Sequence, residues 1–265
     1  MTLELLISTM HQNDYSLLQR MNVCSDAVVI NQCDNESKAQ FDYNGFNINW
    51  INTTERGLSK SRNMALRYAT ADICMIADDD MVYRCNYAEK VINAFKNTNA
   101  DIIRFRVEGI EKEFKRYPVA EQKISYLTSM KMASVEISFK RKSFTENGIV
   151  FDELIGAGTE FLMGEESALL FDCLKKHLNI RFVPETIADL HIGNSTWRNG
   201  YNNEFFIAKG ASFAAMRTPF TLLFILQWAF RKSRLYKKEI SIGKAVSLMN
   251  HGKKEYKRKK EENDT

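Results

Sequence analysis

Proline is scarce in this chain, at three in 265 residues, and glycine is held to twelve. That excludes collagen-like and Pro-rich low-complexity classes. The five cysteines (Cys24, Cys33, Cys74, Cys85, Cys173) are odd in number, widely spaced and without a CxxC pair. A disulfide framework or structural zinc site is therefore not expected, and a reduced, cytosolic compartment fits the cysteine usage. No uninterrupted apolar run reaches the roughly 18 residues of a spanning helix. Met1 to Thr9 is apolar but lacks a basic leader and is too short for a signal peptide. The GxSxG, GxxxxGK[ST] and GxGxxG patterns are all missing. Nucleophile-elbow hydrolases, P-loop enzymes and nicotinamide-binding domains are disfavoured accordingly.

What is present supports a sizeable core. Hydrophobic residues make up 45% of the chain, charged residues 26% and aromatics 11%. This suits one large core, or two smaller ones sharing a sheet. The net charge of +4 conceals an asymmetry. Arg231 to Lys260 carries twelve Lys/Arg against two Glu, and the last five residues carry three acids, so residues 1–230 sum to −3. A basic tail of this kind meets acidic lipid, nucleic acid or only water.

Along the first hundred residues, short apolar runs alternate with helical periods. Leu3–Ser8, Ala27–Ile30, Phe46–Ile51, Asp72–Ala77 and Asp101–Val107 read as strands. Tyr15–Met21 (with Asp14 as N-cap), Leu58–Tyr68 and Tyr87–Phe95 read as helices. Such alternation implies a mostly parallel α/β sheet. The middle predicts short strands at Val135–Phe139 and Ile149–Asp152, and a flexible loop at Gly156–Thr159. It also predicts a helix over Glu165–His177 and strands at Arg181–Val183 and Ile187–His191, around Pro184. Ala211–Phe230 is apolar but interrupted by Arg217, Pro219 and Gln227, and a basic stretch follows. An apolar segment with a polybasic flank is the pattern of a helix lying in a membrane interface; the alternative is a packed helix with a solvated tail.

Four features could carry chemistry. Asp78-Asp79-Asp80 directly follows a strand with no charge from Ile73 to Ala77. The carboxylates therefore project from the carboxyl edge of the sheet, where open α/β sheets bind ligands. Asp78 and Asp80, two apart, can point the same way in extended geometry. Oxygen ligands of this kind suit Mg²⁺ or Mn²⁺ carrying a diphosphate; taken alone, the triplet reads equally as a solvated acidic turn. Arg56-Gly57-Leu58-Ser59-Lys60-Ser61-Arg62-Asn63 sets cations at a helix start. That suits a phosphate, or simply a basic surface helix. Gly164-Glu165-Glu166 opens a helix, which favours acids in any case, yet a carboxylate there could serve as a general base. His191 precedes Gly193-Asn194-Ser195-Thr196-Trp197; a lone His is as readily structural, and Trp197 could pack in a core.

In order, these pieces resemble a family 2 glycosyltransferase with the GT-A fold, over about residues 3–200. Ser8-Thr9-Met10 sits where such enzymes begin their nucleotide pocket. Gly57 to Leu66 is similar to the family's Arg-Asn helix. The triplet resembles the DxD metal motif, and Gly164-Glu165-Glu166 the catalytic segment. Val183-Pro184-Glu185 with His191 and Ser195-Thr196-Trp197 resembles a subgroup from bacterial polysaccharide and capsule biosynthesis. Two departures stand out: Ile30-Asn31-Gln32-Cys33-Asp34 replaces the Asp-Asp-Gly-Ser type segment that holds uracil, and Glu166 replaces Asp.

The resemblance implies a Rossmann-like, mostly parallel sheet flanked by helices, with a helical, basic membrane-interface extension. It implies a nucleotide-sugar half at 1–107, an acceptor half at 108–200 and the extension at 201–265. It implies inverting sugar transfer to a hydroxyl of a glycan or lipid-linked acceptor, with Mn²⁺ or Mg²⁺ as cofactor. Thr9, Gln32, Lys60, Arg62, Asn63 and Asp78 would bind the nucleotide-sugar. Asp80, Asp78 and His191 would hold the metal, and Glu166 or Glu165 would be the base. The protein is expected at the inner face of the cell membrane, its tail on anionic lipid, with no nucleic acid partner. A sugar-1-phosphate nucleotidyltransferase is the competing enzyme reading, but Ser8-Thr9-Met10-His11-Gln12 lacks its Gly-rich phosphate loop; a non-enzymatic nucleic-acid-binding protein using the basic tail is the other alternative, and it leaves the acidic triplet unexplained.

Overall fold

A computed structural model of the chain describes residues 1–193 and 200–263. The Ser195-Thr196-Trp197 segment singled out above lies outside the described residues. In chain order the elements are β1 (Leu3–Met10), α1 (Ser16–Arg20), β2 (Asp26–Gln32), β3 (Ser37–Tyr43), β4 (Phe46–Thr53), α2 (Leu58–Tyr68) and β5 (Ile73–Asp78). Then come β6 (Met81–Tyr83), α3 (Tyr87–Asn97), β7 (Ile102–Gly109), β8 (Gln122–Lys123), α4 (Tyr126–Ser129), β9 (Ile137–Lys140) and α5 (Arg141–Asn147). The chain closes with α6 (Glu165–Lys175), β10 (Ile180–Leu190), α7 (Asn203–Ala215), α8 (Thr221–Tyr236) and α9 (Ile242–Asn263).

The strands of the described residues join in one sheet, in the order β3-β4-β2-β1-β5-β9-β7-β10-β6, with β8 on β10. β4, β2, β1 and β5 run parallel, as do β7 and β10. β9 is antiparallel to both β5 and β7. The apolar runs of β1, β2 and β5 are buried on both faces, as covered parallel strands must be. A buried carboxylate fastens this centre: Glu4 of β1 accepts from the amides of Thr70 and Ala71 at 2.7 and 2.8 Å. It thereby pins the turn that leads into β5.

Contacts divide the chain into two compact units. The first holds the sheet and its core of Leu5, Ile7, Val29, Trp50, Met75 and Phe105, among others. The second comprises Gly57–Ser59, Phe151–Asp172 and the C-terminal helices. In it α7 and α9 cross at two glycines. A Cβ on Gly210 would lie 1.9 Å from the Met249 carbonyl oxygen, and one on Gly252 1.9 Å from that of Ile207. No helix of the described residues is long and apolar enough to cross a membrane.

Several local expectations change. Ile149–Asp152 is not a strand: Gly148, at φ 59°, ends α5, and the Ile149 amide donates back to Phe144. Tyr15 rather than Asp14 occupies the α1 cap position, with Asp14 accepting from the Ser16 amide at 2.9 Å. A 3-10 turn at Ser134–Glu136 replaces the start of the Val135–Phe139 strand. The two strands around Pro184 are one strand, β10, with register shifts between Phe182 and Ala188 that absorb the proline.

Candidate active site

Parallel pairing of β5 with β1 sets Asp78 opposite Ser8 at the carboxyl edge of the sheet. Asp79 and Asp80 turn away beyond it. Each carboxylate has a different environment. Asp78 Oδ1 accepts from an Arg62 guanidinium nitrogen at 2.9 Å, and that nitrogen also donates to Ser134 Oγ at 2.8 Å. Arg62 is 1% exposed, so helix α2 delivers a buried cation to the underside of the triplet. Thr9 Oγ1 donates to Asp79 Oδ2 at 2.6 Å and accepts from Gln12 Nε2 at 3.0 Å. Asp80 is exposed but crowded. Lost hydration, then the charges of Asp78 and Asp79, push its carboxyl up to about 6.

His191 stands beside this edge. Its amide donates to the Asp80 carbonyl at 2.9 Å, and its Nδ1 pairs with Glu111 Oε1 at 2.9 Å. The His191 ring and the Ile192 amide hold the Glu111 carboxyl down at about 2. Fixing one ring nitrogen on a carboxylate leaves the other to face a ligand, an arrangement typical of metal-bound histidines.

The β2 departure is a built structure. Asn31 is buried, accepts from the Gln12 amide at 3.0 Å and donates to the Gln12 carbonyl at 2.9 Å and to Asn52 at 2.8 Å. Gln32 and Asn63 are buried. Lys60 is half-buried and makes no hydrogen bond or ion pair among the described residues. Arg56 pairs with Asp34 at 2.7 Å and donates to the Cys33 carbonyl, tying the end of β2 to the loop after β4. Sequence reasoning missed Ser134 and Glu111, which reach the site from loops whose pattern carries no such signal.

In the second unit, Gly164 opens α6 at φ 97°. A Cβ there would lie 1.9 Å from Ser212 Oγ of α7, so only glycine fits. Glu165 is 3% exposed and turned against Gly156, while Glu166 is half-buried. Ser59 Oγ, also against Gly156, donates to the Ile155 carbonyl at 2.7 Å. Burial pushes the Lys209 ammonium of α7 down, and the negative charge of Glu166 opposes that shift. The two neighbouring acids thus differ: one is packed inside, the other accessible.

The residues at the triplet fit a hard divalent cation. They offer carboxylate oxygens and an oriented imidazole. Among the described residues no three acidic, His or Cys groups converge into a complete cage. Mg²⁺ and Mn²⁺ do not require one, since they are commonly held by one or two carboxylates plus substrate phosphates and water.

A family model described as glycosyl transferase family 2 matches residues 3–161. The chain belongs to this family. The glycosyltransferase shares its fold with Staphylococcus aureus TarS 1–349. In complex with UDP-GlcNAc, TarS matches at TM-score 0.61 and 12% identity, over 97% of this chain and 92% of that one. In complex with UDP it matches at TM-score 0.56 and 13% identity, with the same coverage. No curated protein matches the sequence. The expected GT-A architecture is thereby found. The family match takes in β1, α2 and the triplet, and stops just short of Glu165 and Glu166.

Proposed function

We propose that this glycosyltransferase moves a sugar from a nucleotide-sugar, with UDP as the nucleotide, to a hydroxyl of a glycan or lipid-linked acceptor in bacterial surface-polysaccharide synthesis. The observation that carries the reading is the aspartate triplet at the carboxyl edge of the sheet, braced from beneath by buried Arg62. The UDP and UDP-GlcNAc complexes of TarS support the choice of donor.

In this reading Thr9, Gln32, Lys60 and Asn63 contact the nucleotide, and Asp78 its ribose. Arg62 serves the nucleotide through Asp78, because its own guanidinium is buried. Asp80, with Asp78 and His191, would hold Mn²⁺ or Mg²⁺, which when bound supplies positive charge against the diphosphate. Glu111 keeps the His191 ring oriented. Glu166, the accessible acid, takes the proton of the acceptor hydroxyl. The acceptor oxygen bonds to the anomeric carbon as the bond from that carbon to the diphosphate oxygen breaks, and the electron pair leaves on the diphosphate. Attack opposite the leaving group inverts the centre. Glu165 shapes the start of α6 from inside.

The exposed apolar face of α8 and the basic residues around it support peripheral attachment to an anionic membrane at the inner face of the cell, where a lipid-linked acceptor is met.

Calorimetric titration with UDP, with and without Mn²⁺, on wild type and Asp80→Asn tests the reading. The expected result is metal-dependent binding that the substitution abolishes. Absence of UDP binding under every metal condition overturns UDP as the nucleotide, and metal-dependent binding that survives in Asp80→Asn overturns the metal assignment.

A further inference from the structure

Helix α8 wears its apolar residues on the outside. Thr221, Ile225, Ala229 and Tyr236 are buried, as one face of a packed helix should be. On the adjoining face Leu222, Leu223, Leu226 and Phe230 are exposed, Leu223 by 58% and Phe230 by 62%, and Phe220 before the helix by 59%. Arg231, Lys232 and Arg234 continue that surface, exposed and without an ion pair among the described residues.

Where this stripe begins, a cavity of about 470 Å³ opens between Ala214, Arg217, Thr218 and Thr221 on one side and Tyr256, Lys257, Lys260 and Glu261 of α9 on the other. Asp152, buried behind it, accepts from the Tyr256 hydroxyl at 2.5 Å. The same carboxylate has Arg217 at 3.5 Å and Lys260 at 3.9 Å, too far for good hydrogen bonds. Lys257 has no ion pair among the described residues. Arg217, Lys257 and Lys260 stand here with Glu261, while Asp152 and Asp172 both act on Arg217. Thr218 and Thr221 line the same wall, the Thr221 hydroxyl donating to the Thr218 carbonyl at 2.8 Å.

We propose that this cavity receives the phosphate headgroup of an anionic phospholipid, while the Phe220–Phe230 stripe enters the bilayer beside it. The inference rests on the peripheral-membrane reading above and adds a headgroup site to it. General attraction of a basic tail depends on surface charge and not on the kind of anion. A cavity lined by cations from α9 and from the turn between α7 and α8 can engage an anion's oxygens directly, and a tetrahedral phosphate offers such donors more oxygens, in more directions, than the two of a planar carboxylate.

The test is flotation of the full chain on two sets of phosphatidylcholine vesicles matched in surface potential. One set carries phosphatidylglycerol and the other oleate. The expected result is preference for the phosphate lipid, about fivefold or more. Arg217→Gln with Lys260→Gln is expected to abolish it, and Lys253→Gln with Lys254→Gln, outside the cavity, to preserve it. Lys257→Gln, which breaks no ion pair among the described residues, repeats the test without disturbing Asp152. Equal flotation of wild type on both sets overturns the headgroup site and leaves peripheral attachment standing. A preference that survives in Lys257→Gln and in the double variant also overturns it. Failure of wild type to float on either set overturns attachment itself, and the site with it.

Discussion

Arg62 and Asp78 form a 2.9 Å ion pair in which the guanidinium is buried and the carboxylate stands half-exposed at the sheet edge. The asymmetry has a consequence for stability. Removing one partner of a buried pair costs more when the stranded charge is the more deeply buried one. Asp78→Asn removes the charge paired with the buried guanidinium and is expected to cost about 3 kcal/mol. Arg62→Met strands a carboxylate that water can reach and is expected to cost less in charge, though it also loses the bond to Ser134. Urea unfolding of both variants checks the order. Equal midpoints for Asp78→Asn and wild type would mean that Arg62 does not depend on this carboxylate.

Glu165 and Glu166 are adjacent, yet their burial assigns them different work. Glu166→Gln is expected to slow turnover by about 10² to 10⁴ while donor binding is kept. Glu165→Ala empties a packed position beside Gly156 and is expected to lower stability by about 2 kcal/mol. Steady-state kinetics and thermal unfolding on both variants separate the roles. Full turnover in Glu166→Gln removes it as the base.

Much of this was legible in the sequence. Apolar runs and 3.6-residue periods place β1, β2, β5, β7, α2 and α3 to within two residues at either end, because covered parallel strands and amphipathic helices are patterned by local burial. The position of the triplet followed from the strand before it. What was hidden depends on distant partners or on weak local signals. β3 is a polar edge strand, readable only through the Asn44-Gly45 turn, where both residues take positive φ. β9 enters the sheet between β5 and β7, a placement that no periodicity encodes. The inward turn of Arg62 is equally invisible: a cation on a helix reads as ligand-facing until Asp78 and Ser134 are seen beside it.

The crossing of α7 and α9 depends on two glycines. At Gly252 an added Cβ would meet the backbone oxygen of Ile207, which cannot swing aside as a flexible side chain can. Gly252→Ala is therefore expected to be destabilising by roughly 2 to 3 kcal/mol, despite alanine's better helix propensity. Gly243→Ala, with nothing within 4 Å of the added methyl, is the control and should be neutral or mildly stabilising. Differential scanning calorimetry reads both. A melting temperature for Gly252→Ala at or above that of wild type would show that the helices can move apart freely.

Lys209 gives stability a pH dependence of definite sign. Its ammonium is buried against the Phe213 ring, and burial lowers its pKa below the ordinary 10.5 even though Glu166 pulls the other way. The folded state therefore releases this proton more readily than the unfolded chain does. Below the lowered folded value the lysine is charged in both states, so the cost of burying the charge is carried in full there. As pH rises from the lowered folded value towards 10.5, the folded state loses its proton first and that cost is relieved. Lys209→Met keeps the length of the stem and removes the charge. The variant is expected to unfold at higher urea than wild type on the acid side of that lowered value, with the gap narrowing steadily as pH rises from it towards 10.5. A gap that is constant across this range would place the effect in packing against Phe213 and not in the buried charge. A variant less stable than wild type on the acid side would mean that the attraction of Glu166 outweighs the loss of water around the ammonium.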